Sequence, residues 1–161
     1  MRQRISLVCV VAGAALLAGP DCQANMSGSS GPAPPAAARS IDYDIGKVAA
    51  ERGDFATAIG ALKRAVSSQP RNVSAFNLLG YATRKSGDAR SALPFYLQAL
   101  AIDPKHIGAH EYIGEAYLML DDVAQARQHL DRLEQLCLFG CKEHRMLQQA
   151  IAAYNKGVKP K

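Results

Sequence analysis

Residues 76–104, FNLLGYATRKSGDARSALPFYLQALAIDP, decide the fold, because they hold two apolar-periodic stretches parted by a turn and their punctuation recurs on either side. Moved by 34 residues in each direction, Gly80 falls on Gly46 and Gly114, Asp88 on Asp54 and Asp122, and Ala92 on Ala58 and Ala126. Gly87 matches Gly53, Ala99 matches Ala65, and Pro104 matches Pro70. Small residues and helix punctuation repeating together at one fixed period mark a repeat architecture.

Each residue type has a physical task at its place in the period. Asp54, Asp88 and Asp122 precede apolar-periodic stretches, where a carboxylate accepts from free backbone N–H groups and complements the helix dipole, so each reads as an N-cap. Gly53 and Gly87 suit the end of the preceding helix, which often closes in a left-handed residue. Pro70 and Pro104 lack the N–H of a continuing helix and close the second helix of their units. Gly46, Gly80 and Gly114 lie inside first helices, where glycine costs about 1 kcal/mol against alanine. Close helix approach, with Ala58, Ala92 and Ala126 as the small facing residues, is the expected compensation. Pro94, several positions into a second helix, predicts a local bend over residues 92–95.

At these residues the chain resembles the tetratricopeptide repeat family, whose 34-residue helix–turn–helix units stack into a right-handed superhelix. Phe76, Leu79, Gly80, Ala92, Tyr96, Ala99 and Pro104 occupy the signature places of the middle unit. Ile45, Gly46, Ala49, Ala58, Leu62, Ala65 and Pro70 follow in the first, and Ile113, Gly114, Tyr117, Ala126 and Leu130 in the third. The third departs late: Asp121 stands for the turn glycine, Leu133 for alanine and Leu138 for proline. The resemblance implies an all-α solenoid of antiparallel helix pairs with units at 39–72, 73–106 and 107–140. Its last face needs a lid, since each unit buries its apolar side only against neighbours. Met146, Leu147, Ala150, Ile151 and Tyr154 follow helical spacing and predict a capping helix over 141–156, ahead of a basic tail at 157–161.

Composition agrees: 161 residues with 48% hydrophobic and 20% charged content suit one soluble domain plus extensions, and the absence of tryptophan with little β-branched clustering disfavours a sheet. The N-terminus carries a separate message. Arg2 and Arg4 precede an uncharged run from Ile5 to Gly19, and small residues approach a cut near Asn25, the pattern of a secretory signal over 1–24. The run is short for a bilayer span, which disfavours an uncleaved anchor. Asp21 beside Cys22 disfavours lipidation. Residues 25–40, rich in Ser, Gly, Pro and Ala, read as a flexible linker. The expectation is export, to a bacterial periplasm.

Export leaves Cys137 and Cys141 as the cysteines of the mature chain. Two thiols in an oxidising compartment predict a disulfide clamping the corner before the capping helix, worth about 2 kcal/mol in a chain-entropy estimate. A redox-active pair, with the Cys141 thiol acidified near a helix start, and a metal site recruiting His144 and His129 are the alternatives.

The chain has no Gly-rich phosphate loop, paired-His metal motif or Gly-x-Ser-x-Gly elbow, and its four histidines have no partner implied by spacing. These readings predict a protein that is not an enzyme and holds no cofactor or resident metal. Binding remains. The resemblance implies a concave groove lined by first helices, which places Tyr43, Lys47 and Ala50, then Asn77, Tyr81 and Arg84, then Glu111, Glu115 and Leu118 on its wall. Their i, i+4, i+7 spacing puts each trio on one helix face. The bland alternative is a solvated face on which Arg84 pairs with Glu115. Asn77 and Lys47 lack the arrangement of the family's carboxylate clamp for chaperone C-termini.

The function expected is therefore an exported scaffold or adaptor that holds a peptide or helix of a cell-envelope partner; the alternative is a thiol-disulfide or metal-handling envelope protein using Cys137 and Cys141. The net charge of +5 does not point to nucleic acid in an exported chain. The basic tail suits weak contact with a membrane surface, and a short stack can cover an exposed end by forming a homodimer.

Overall fold

Helix starts in this chain are set by the side chains before them. In the computed structural model, which describes residues 41–160, the Oδ1 atoms of Asp54, Asp88 and Asp122 accept from the backbone N–H of Thr57, Ser91 and Gln125 at 3.1, 2.9 and 3.1 Å. These caps open α2 (Phe55–Ser68), α4 (Ala89–Ile102) and α6 (Val123–Leu136). Asn72 Oδ1 and His106 Nδ1 each accept a first-turn N–H at 3.0 Å and open α3 (Val73–Lys85) and α5 (Ile107–Met119). Cys141 Sγ accepts from His144 N–H at 3.4 Å and opens α7 (Lys142–Tyr154), while α1 spans Ile41–Glu51. The secretory segment and linker expected over residues 1–40 lie outside the described residues.

The turns within units need a left-handed residue. Gly53 and Gly87 supply it at φ 76° and 102°, and Asp121 adopts φ 64° at the third equivalent place. Aspartate tolerates this region better than most side chains. Its carboxylate is also held there, accepting from Tyr154 Oη at 2.9 Å and Lys159 Nζ at 2.6 Å. The α4 helix continues through Pro94. Pro94 and Arg90, the residue whose carbonyl loses its partner, both lie on the exposed face.

Helix pairs α1–α2, α3–α4 and α5–α6 stack in chain order, and α7 packs on α5 and α6. Among the described residues there are helices and no strands, an all-α solenoid with its capping helix. The core runs along the stack as three successive clusters, centred on Leu62 and Leu79, on Tyr96 and Ile113, and on Leu118, Leu133 and Leu147.

The in-helix glycines do mark close helix approach, with the Ala58 carbonyl 3.3 Å from where a Cβ on Gly46 would stand, but the nearest side chains are not the expected alanines. Ala58, Ala92 and Ala126 are fully buried, yet the side chains that meet the glycines are large. A Cβ at Gly80 would come 2.6 Å from Tyr96 Cε1, and one at Gly46 would come 2.5 Å from Leu62 Cγ. At Gly114 the neighbour is Leu147 of α7, 2.6 Å from where the Cβ would stand. Glycine thus accommodates one bulky knob per unit, and the third knob is borrowed from the lid.

Candidate functional site

First helices α1, α3 and α5 bring their expected faces to one side, but those faces do not form one open wall. Towards the N-terminal end lies a cleft of ≈ 380 Å³ between α1 and α3, closed at its far side by His106 and Tyr112. Tyr43, Lys47, Ala50, Asn77 and Tyr81 all line it. Lys47 is exposed and only loosely paired, 3.9 Å from Glu51. Asn77 is half-buried and its Oδ1 has no partner.

Further along, a second cavity of ≈ 420 Å³ lies between α3, α5 and α7, with Tyr81, Arg84, Glu111, Tyr112 and Glu115 in its lining. Met146 and Ala150 of α7 and the tail residues Val158, Lys159 and Pro160 form its other side. Arg84 is only 2% exposed, and its Nη2 pairs with Glu115 Oε2 at 2.7 Å. The guanidinium carbon lies 5.8 Å from the ring centres of both Tyr81 and Tyr112. Cation–π attraction thus adds to the ion pair. The rings of Tyr81 and Tyr112 are themselves 5.2 Å apart, which joins the two cavities through an aromatic wall.

Glu111 is 3% exposed, and its Oε1 accepts nothing. Burial first, then the charges of Glu115 and Glu143, push its pKa up to about 7. Burial likewise raises the Tyr112 hydroxyl to about 12 and moves that of Tyr96 well upward.

Leu118 departs from its expected place on the groove wall. It is fully buried in the cluster made with Leu133, Leu147 and Ile151, because α7 lies over the end of α5. Arg84 makes the ion pair with Glu115 that the bland alternative named, but it is buried rather than on a solvated face. The tyrosine at 112, the His106 cap and the α7 and tail residues were not anticipated. Tyr112 falls outside the i, i+4, i+7 trio, and nothing in a helical period says against which face a capping helix will lie.

The histidines hold a further correction. His110 and His129, without a partner implied by spacing, form a pair: their Nδ1 atoms are 2.9 Å apart, and His110 Nε2 lies 3.1 Å from the Pro104 carbonyl. Donation of Nε2–H to Pro104 makes His110 Nδ1 the acceptor and His129 Nδ1 the donor. Burial first, then the neighbouring His110, lowers the His129 pKa to about 4, and burial lowers that of His110. The sulfurs of Cys137 and Cys141 are in contact, with Cα atoms 5.6 Å apart, a separation that a disulfide spans. Among the described residues no group of three or more His, Cys, Asp or Glu is placed to hold a metal ion, and no helix is long and apolar enough to cross a membrane.

Two models described as tetratricopeptide repeat match the chain, over residues 43–107 and 84–135. The chain belongs to the tetratricopeptide repeat family. A TPR repeat-containing thioredoxin of Arabidopsis thaliana, TTL4, is 32% identical over 85 residues, 53% of this chain and 12% of that protein. The chain therefore spans a small part of that relative's length. Among solved tetratricopeptide repeat structures, the TPR2B domain of yeast Sti1 in its pHsp70 complex has a TM-score of 0.66 at 17% identity, covering 73% of this chain and 95% of that chain. The second TPR domain of human RPAP3, in complex with the HSP70 peptide SGPTIEEVD, has a TM-score of 0.64 at 21% identity, covering 69% and 92%. At these identities the likeness is one of fold.

Proposed function

We propose that the protein is a non-enzymatic interaction scaffold that holds an extended peptide or a helix of a partner protein against the inner face of its repeats. The observation that carries this reading is the open cleft where Tyr43, Lys47, Asn77 and Tyr81 converge. Flat amphipathic rings, one exposed cation and one unpartnered amide oxygen suit a polypeptide, which brings apolar side chains and main-chain donors together. The peptide complexes of the similar repeat domains support the same use of the fold.

The setting we propose is an exported one, the periplasm of a bacterium, on the strength of the charged and apolar pattern of residues 2–24. Cys137 and Cys141 then form a bridge that fixes the corner between α6 and α7. A second reading, thiol chemistry at this corner, draws on the Cys141 sulfur at the N-terminus of α7, where a thiolate is favoured.

Placing a photo-crosslinking residue at Asn77 in the full chain and identifying adducts in the exported fraction tests the scaffold reading. Adducts with one partner, lost when Tyr43 and Lys47 are both changed to alanine, are expected. Adducts indifferent to those changes, or none at all, would overturn it.

A further inference from the structure

We propose that this inner face selects a basic peptide, seating one of its lysine or arginine side chains against Glu111 in the cavity between α3, α5 and α7. The inference rests on the peptide-holding reading above and names the ligand's charge.

Arg84, the buried cation of the cavity, is bound to Glu115 at 2.7 Å. Lys159 in the same lining is held by Asp121 at 2.6 Å, and Lys85, also in the lining, has contacts of its own. Glu111 is left with a buried carboxylate oxygen that accepts no hydrogen bond, although the residue lines a cavity of ≈ 420 Å³. An unsatisfied buried acceptor is costly, and a donor that reaches it recovers the loss. Its near neighbours Glu115 and Glu143 add negative charge, while Arg84 and Lys142 offset them only in part. An arriving cation relieves this excess; an arriving carboxylate worsens it.

The same cavity also lacks acceptors. Arg84 Nε and Nη1 are buried without a well-formed hydrogen bond, and so is the Tyr96 hydroxyl, the acceptor that interacts with Arg84. A peptide lysine or arginine carries both missing groups: a cationic side chain for Glu111 and main-chain carbonyl oxygens for the Arg84 N–H groups. A free amine or an acidic tail supplies one and not the other. The tyrosine wall of residues 81 and 112, which already flanks one guanidinium at 5.8 Å, offers its ring faces to a second cation. Val158, Lys159 and Pro160 lie along the same cavity, and Lys85 lines it too, so side chains of the proposed ligand's charge already rest near Glu111.

The test is an array of synthetic twelve-residue peptides in which a central position is fixed in turn as Lys, Arg, Glu, Asp or Leu, probed with the full chain. At least tenfold stronger retention on Lys and Arg peptides than on Glu and Asp peptides is expected. Glu111→Gln, nearly the same shape and checked for helicity by circular dichroism, should erase that preference. Preference for acidic peptides, or a basic preference unchanged in Glu111→Gln, would overturn the charge assignment. In either case, if retention is lost in a Tyr43→Ala, Lys47→Ala double variant, the groove itself stands. No retention by any peptide, or retention that ignores the double variant, would overturn the groove reading along with it.

Discussion

At the scale of single residues, the interior holds two kinds of titrating group whose effects oppose one another. Folded Glu111 keeps its proton to about pH 7, whereas the unfolded group releases it near 4.5. Between those values the folded chain binds the extra proton, so this group's contribution to stability declines as pH rises through the window. Folded His129 titrates at about 4 against 6.5 unfolded. There the unfolded chain binds the extra proton, so stability rises with pH over that window, and His110, also lowered, acts in the same sense. In the range where the windows overlap, the two slopes cancel in part. Melting temperatures taken from pH 4.5 to 6.5 should thus climb more steeply in Glu111→Gln than in the parent. In His129→Gln they should climb less or decline; parallel profiles for all three proteins would show that neither group is shifted as described. The caps offer a simpler residue-level expectation. Asp88→Ala removes the acceptor of the Ser91 N–H and should cost about 1 kcal/mol in urea unfolding at pH 7. Asp88→Asn, which keeps an acceptor oxygen, should cost less.

Among elements, α7 and the corner before it decide what the inner face looks like. Its knob Leu147 enters the space left by Gly114, and its N-cap is Cys141, beside Cys137 at the C-cap of α6. Replacing both cysteines by serine should lower stability by about 2 kcal/mol under oxidising conditions. Against the reduced parent the same change should leave stability equal or slightly raised, because a serine at 141 still caps α7. If thermal unfolding of the oxidised parent and the double variant coincide, the bridge is not a clamp. The stack and its caps were legible because Asp54, Asp88 and Asp122 act through bonds to residues three positions on, which one period of sequence contains. The cleft trio Tyr43, Lys47 and Asn77 was legible for a similar reason, being fixed by helix spacing and the order of stacking. Leu118 was misplaced because its burial depends on where a helix more than twenty residues later settles. The His110–His129 pair joins neighbouring helices at a separation of 19 residues, which no helical period encodes. The compensation for Asp121 in the turn was hidden likewise, since its partners Tyr154 and Lys159 are 33 and 38 residues away.

The molecule as a whole is a chain of interfaces in which each helix pair is buried by its neighbours, so damage should spread according to position. Gly80 and Tyr96 meet in the middle pair, between the first and third units; Gly114 and Leu147 meet at the end, where only the lid lies beyond. A methyl at Gly80 would stand 2.6 Å from the buried Tyr96 ring, closer than real contacts allow, and Tyr96 is fully enclosed and cannot swing aside. Gly80→Ala should therefore force the pair apart at a cost of about 1–3 kcal/mol. Because both flanking units lean on that pair, amide exchange should rise throughout α1–α6. Leu147→Ala opens a void beneath the lid and should cost about 2–5 kcal/mol. Its effect should concentrate in α5, α6 and α7, leaving the α1–α2 amides near their parental protection. Hydrogen exchange read by mass spectrometry separates the two patterns. Equal loss of protection in α1–α2 for both variants would mean that the stack melts as one unit. In that case the two cavities of the inner face could not open independently, and a ligand seated at Glu111 would stabilise the cleft at Tyr43 as strongly as its own end.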